Sequence, residues 1–76
     1  MGPAVVVDTN FTKARKASQT GDFKTALVEW AALADQGDAK AQFNLGLMYD
    51  DGKGVSQCHE TAANWFTLAA KQGYVN

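Results

Sequence analysis

Ala41-Gln42-Phe43-Asn44-Leu45-Gly46-Leu47-Met48-Tyr49-Asp50-Asp51-Gly52-Lys53-Gly54-Val55 decides the fold, together with Ala62-Ala63-Asn64-Trp65-Phe66 and Ala69-Ala70-Lys71-Gln72-Gly73 downstream of it. Ala41, Leu45, Met48 and Tyr49 recur at three- and four-residue intervals, so they share one stripe of a helix. Asp38 ahead of them has the side-chain oxygen that satisfies a free first-turn amide, and Gly52 can end the helix. Ala62, Trp65, Phe66, Ala69 and Ala70 repeat the periodicity and run to a second glycine stop at Gly73. The longer, glycine-rich stretch from Asp51 to Gln57 reads as the turn between two helices.

The same grammar extends toward the N-terminus. Phe23, Ala26, Leu27, Trp30, Leu33 and Ala34 form an apolar stripe between a capping Asp22 and Gly37. Ahead of Gly21, Phe11, Ala14, Ala17 and Ser18 mark a weaker helix, with Asp8 or Thr9 as its candidate cap. The connections Thr20 to Asp22 and Gly37 to Asp38 are short enough to force antiparallel neighbours. No segment alternates as a strand, and Val5-Val6-Val7 is β-branched but too brief to form one. The predicted fold is all-α, with four helices.

A shift of the chain against itself by 36 residues lays Thr25, Ala26, Ala34, Gln36 and Gly37 on Thr61, Ala62, Ala70, Gln72 and Gly73, and Trp30 on Phe66. The shared Ala-x-Gln-Gly ending fixes where each helix stops, which alanine content alone would not do. The first and third helices align at a shorter offset, Gly21 on Gly52, leaving about five extra loop residues in the second unit.

These residues resemble the Sel1-like repeat, a relative of the tetratricopeptide repeat, across Ala39 to Gly73. The pattern has an alanine-rich entry, Leu45-Gly46, Tyr49, Gly52-x-Gly54-Val55, and Ala62-x-x-Trp65-Phe66 before the closing Ala69-Ala70-x-x-Gly73. Residues Asp22 to Asp38 look like the closing half of a preceding unit, whereas Phe11 to Thr20 lacks the Leu-Gly and Tyr positions. Four segments follow: a partly flexible tail over 1–10, a degenerate or capping first repeat over 11–37, a Sel1-like repeat over 38–73 and a short tail over 74–76. The pattern departs at Ser56-Gln57-Cys58-His59, where the family commonly has Pro, Gln, Asp and Tyr, and this weakens the start of the last helix. Gly46 lets the two helices of a unit approach closely, and Tyr49 can fill the space between units. The resemblance implies a scaffold or adaptor that binds another protein.

Composition narrows the function further. With 46% apolar and 20% charged residues the chain is globular, and its 76 residues hold a single small core. Seven basic residues against eight acidic ones do not make the cationic face that nucleic acid requires. No apolar run approaches the roughly 18 residues of a membrane span. A lone cysteine, Cys58, precludes an internal disulfide and suits a cytoplasmic setting, or a periplasmic or secreted one if a leader has been removed.

Cys58-His59 is the one adjacent reactive pair. Neighbouring residues on a helix diverge by about 100°, so His59 is poorly placed to deprotonate Cys58, and no third group orients it. A small enzyme or metal protein built on these two residues and Asp50-Asp51 is the alternative reading, with a thin ligand supply. A calcium loop would put Tyr49 and Lys53 where oxygen ligands belong, and Gly52-Lys53-Gly54 lacks phosphate-loop spacing and a preceding strand. Trp30 and Phe66 are expected in the core, with Trp65 less settled; no enzyme activity, cofactor or metal is expected.

The resemblance implies protein or peptide binding on the concave face, where in this superfamily each unit's first helix lies. By spacing, Lys40, Phe43, Leu47 and Asp50 share that face with Thr12, Lys16 and Gln19. Phe43 and Leu47 form a second apolar stripe, rimmed by Lys16, Lys40 and Asp50; the competing expectation is that the segment Ala4 to Val7 or a second copy covers them. Because two repeats stack at only one junction, Ala63, Trp65 and Ala70 are expected to lack a covering unit and to pair in a homodimer. A purely self-assembling structural module would present the same surfaces.

Overall fold

The computed structural model describes residues 10–74, which form α1 (Asn10–Thr20), α2 (Phe23–Asp35), α3 (Ala39–Asp51) and α4 (His59–Lys71). The all-α repeat fold expected from the periodicity is the fold observed, with no strand among the described residues. The Asp8 or Thr9 cap, the Val5-Val6-Val7 segment and any cover from Ala4 to Val7 lie outside the described residues.

Capping chemistry sets the helix bounds. Asp22 accepts from the Thr25 amide at 3.4 Å and Asp38 from the Ala41 amide at 2.9 Å, so α2 and α3 begin where a side-chain oxygen replaces a missing helical carbonyl. Gly37 and Asp38 donate their amides to Ala34 and Leu33 at 3.0 and 3.1 Å, and Gly73 and Tyr74 donate theirs to Ala70 and Ala69 at 2.8 and 3.1 Å. These are the same closing bonds displaced by 36 residues, so the sequence repeat is also a repeat of backbone geometry. The weak start of α4 is borne out: Cys58 makes no side-chain cap, and its amide instead donates to the Tyr49 carbonyl at 2.9 Å.

Each helix packs on its neighbour in sequence, α1 on α2, α2 on α3 and α3 on α4. The central core consists of Ala14, Ala17, Ala26, Trp30, Ala34, Ala41, Leu45 and Met48, with Phe11, Phe23, Tyr49 and Trp65 among the half-buried residues against it. Trp65 thus turns inward instead of standing on the uncovered end, while Ala63 and Ala70 are exposed as expected. Phe66 is half-buried and lies outside the central cluster, over Gly46, where a Cβ would meet its ring at 2.6 Å and the Ala62 carbonyl at 3.2 Å. The cause is helical phase: Trp65 and Phe66 flank the Ala62–Ala69 line on opposite sides, so one faces the core and the other faces α3.

The extra loop residues of the second unit tie the units together. Gln57 Nε2 donates to the Asp50 carbonyl at 2.8 Å, holding the loop against the end of α3. Gly54, at φ 76°, passes so close to α2 that a Cβ would sit 2.6 Å from the Phe23 carbonyl oxygen. Gly21 has a similar φ of 85° but nothing within 4 Å of its would-be Cβ. Gly21→Ala should cost about 1–2 kcal/mol from backbone strain alone, and Gly54→Ala about 1–3 kcal/mol more because the Phe23 backbone must also move. Urea unfolding of both variants measures the difference; equal losses would show that the loop yields freely.

Candidate functional site

The face shared by α1 and α3 holds an open concavity of about 210 Å³ lined by Ser18, Phe23, Trp30, Asn44, Leu47, Met48, Asp51 and Lys53. Its floor is Trp30, whose Nε1 donates to Ser18 Oγ at 3.0 Å, so the indole reaches the groove with its polar atom already satisfied. Met48 adds an adaptable apolar wall. Leu47, with 39% of its surface exposed, forms the lip. The ammonium of Lys53 sits 5.0 Å from the centre of the Phe23 ring and closes one end.

The residues expected on this face divide among three settings. Lys40 and Leu47 lie on the side of α3 turned toward α1: the Lys40 ammonium is 5.1 Å from the Phe11 ring centre, and Leu47 shares the concavity with Ser18. Phe43 is turned the other way, against Phe66 and Tyr74, with ring centres 5.4 Å apart in both pairs. Neither a second copy nor the N-terminal segment is needed to half-bury it, because α4 and the residue that follows it supply the cover. Asp50 also faces α4, accepting from or sharing a proton with His59 Nδ1 at 2.6 Å. Lys16 and Gln19 are exposed on α1.

One residue escaped the sequence reading. Phe11 and Ser18 both meet the α3 side, and Arg15 stands four residues after one and three before the other, on the same strip. Lys16 is a further 100° or so around the helix. The signal was present in the spacing, but α1 has too few large apolar residues to fix its phase until α2 and α3 are seated on it.

Cys58 and His59 do not form a dyad. Cys58 Sγ lies 3.2 Å from Thr61 Oγ1 while His59 is engaged by Asp50. The Thr61 hydroxyl, helped by the Thr61 and Glu60 amides of the first turn, holds the Cys58 thiol below its ordinary value. Among the described residues no three His, Cys, Asp or Glu side chains gather as metal ligands, and no helix is long and apolar enough to cross a membrane.

Residues 39–74 match the model of the Sel1 repeat family. Over 46 residues, 59% of the chain, the sequence is 46% identical to chitin synthase regulatory factor 3 of Schizosaccharomyces pombe, and it spans 5% of that protein's length. No solved structure matches the chain.

Truncation should separate the two apolar residues of α3. Phe43→Ala, which empties the contacts with Phe66 and Tyr74, should lose about 1–3 kcal/mol. Leu47→Ala should lose about 1 kcal/mol or less, because 39% of its surface is already exposed. Chemical denaturation of each variant provides the check, and a loss at Leu47 as large as that at Phe43 would make Leu47 a packing residue.

Proposed function

We propose, for a chain that carries a Sel1 repeat over residues 39–74, that the face of α1 and α3 binds a peptide or protein partner and that the molecule acts as an adaptor or scaffold. Sel1 repeats serve as protein-interaction modules, and the face is the finer assignment made here. The observation that carries it is Leu47, an apolar residue left at the lip of a groove floored by Trp30 and Met48. An accessible apolar anchor point with polar neighbours is how binding surfaces concentrate their energy. Lys40 adds charge beside the groove over Phe11, whereas Phe43 and Asp50 are turned to α4 and do not line it.

A photo-crosslinking amino acid at position 47 should capture a partner from host extract. The same group at Val28, 64% exposed on α2, serves as the control. Leu47→Glu should abolish binding of the captured partner while the helical circular dichroism is unchanged. Equal capture at both positions, or full binding by Leu47→Glu, would defeat the assignment.

A second reading, self-association, is favoured by one contrast. Ala34 is 2% exposed beneath α3, whereas Ala70, its counterpart 36 residues on, is exposed together with Ala63. A homodimer stacked through this face of α4 would bury both alanines. Light scattering at roughly tens of micromolar should give the dimer mass, and Ala70→Glu the monomer mass with the fold retained. A monomeric wild-type protein removes this reading and leaves the α1–α3 face unaffected.

A further inference from the structure

The outward face of α4 carries its own electrostatic complement. At about 100° per residue, Glu60, Thr67 and Lys71 fall close together around the helix, diametrically opposite the buried line of Ala62 and Ala69. All three are exposed, and among the described residues neither Glu60 nor Lys71 has an ion-pair partner. Apolar surface flanks them on both sides, Leu68 at 41% exposure on one and Ala63 with Ala70 on the other. Thirty-six residues earlier the positions of Ala63 and Ala70 belong to Leu27 and Ala34, which pack in or against the central core. The end charges are reversed there: α2 has Lys24 where α4 has Glu60, and Asp35 where α4 has Lys71. A negative start and a positive end suit the helix dipole, yet α2 forms a helix of the same length without them, so the dipole does not require the arrangement on α4.

We infer that the outward face of α4 docks a second copy of this chain through an antiparallel, two-fold symmetric helix pair, in which Glu60 of each copy meets Lys71 of the other. This rests on the reading that the chain self-associates through α4, and it adds the orientation and register of the pair. Charge decides the orientation. A parallel pair sets Glu60 against Glu60 and Lys71 against Lys71, whereas an antiparallel pair sets unlike charges together at both ends. The α1 helix of a second copy fits less well, because Lys13, Arg15 and Lys16, with no carboxylate among them, can answer Glu60 but not Lys71. That head-to-tail contact also leaves a free face at each end, while the two-fold pair closes.

The apolar contacts agree with the same register. A two-fold axis between antiparallel helices brings like flanks together, so Ala63 opposes Ala70 of the other copy and Leu68 lies beside its own counterpart. In that register Glu60 is two residues, about 3 Å along the axis, from the level of the opposing Lys71, a gap the lysine side chain spans. Exposed ion pairs contribute little by themselves. Burial of Leu68 and the alanines holds the pair, and the charges choose its direction.

The full chain, its Glu60→Lys and Lys71→Glu variants, and an equimolar mixture of the two variants are compared by sedimentation over micromolar concentrations. The wild-type chain should dimerise, and each variant alone should dissociate about tenfold more readily, because both inter-helix pairs become like-charged. Mixing the variants should recover the wild-type dimer, since a hybrid of the two again pairs unlike charges at both ends. A second readout is independent of charge. On a Cys58→Ser background, air oxidation should link an Ala63→Cys chain to an Ala70→Cys chain in preference to linking either with itself. Variants as dimeric as the wild type, no recovery when variants with native circular dichroism are mixed, or Ala63→Cys chains that link to one another overturn the inference alone. A monomeric wild-type chain overturns the self-association reading along with it.

Discussion

Close helix approach is the constraint on which the rest of this structure depends. The buried positions at the centre of each contact are alanines: Ala14 on α1, Ala26 and Ala34 on α2, Ala41 on α3, Ala62 and Ala69 on α4, with Leu45 the largest side chain fully enclosed. Side chains this small bring helix axes together and leave interior volume for one aromatic ring, that of Trp30. The other rings collect at the edges. Phe43, Phe66 and Tyr74 pack along one border of α3, and Phe11 and Phe23 stand half-buried on the side of Trp30. The groove exists because bulk that cannot enter the core forms walls around it.

Alanine surfaces are smooth and specify register poorly, and directional bonds make up the deficit. Gln42 is the one buried polar side chain among the described residues. Its Nε2 donates to the Ala34 carbonyl at 3.3 Å, and its Oε1 accepts from Gln72 Nε2 at 3.0 Å, which also donates to the Gly37 carbonyl at 2.8 Å. The end of α2, the start of α3 and the end of α4 are thereby joined through two carboxamides, and among the described residues no buried side-chain polar atom is left unpaired. At the other end of the junction Gly54 meets the Phe23 backbone. These two points fix how the units meet, and so fix the distance between α1 and α3 across the groove.

Electrostatics follows from the same geometry. The carboxylates of the described residues lie on α2, on the caps and at the ends of α3 and α4, and the cations of α1 have no acidic neighbour within their helix. A chain nearly neutral in sum therefore keeps Lys13, Arg15 and Lys16 apart from its carboxylates along the helix, although none of the three lines the groove whose rim Leu47 forms. Asp50, which spacing alone assigned to that rim, is removed from it by His59.

Read by itself, the sequence determined the fold and the helix ends, because these are decided by contacts three to five residues apart. The stripe Ala41, Leu45, Met48, the caps Asp22 and Asp38, and the glycine stops repeated at 36 residues all act within one helical turn of themselves. It also determined that Gly46 marks a close approach. What only the tertiary structure decided is which half-exposed side chains turn toward which neighbour. Phe43 and Leu47 are indistinguishable by spacing, yet one is covered by Phe66 and Tyr74 and the other is left at the groove; Trp65 packs against the central core, whereas Phe66 lies outside it over Gly46. On a helix these residues differ by 40 to 100°. A rotation that small is set by the fit of one helix on the next, which no local pattern encodes.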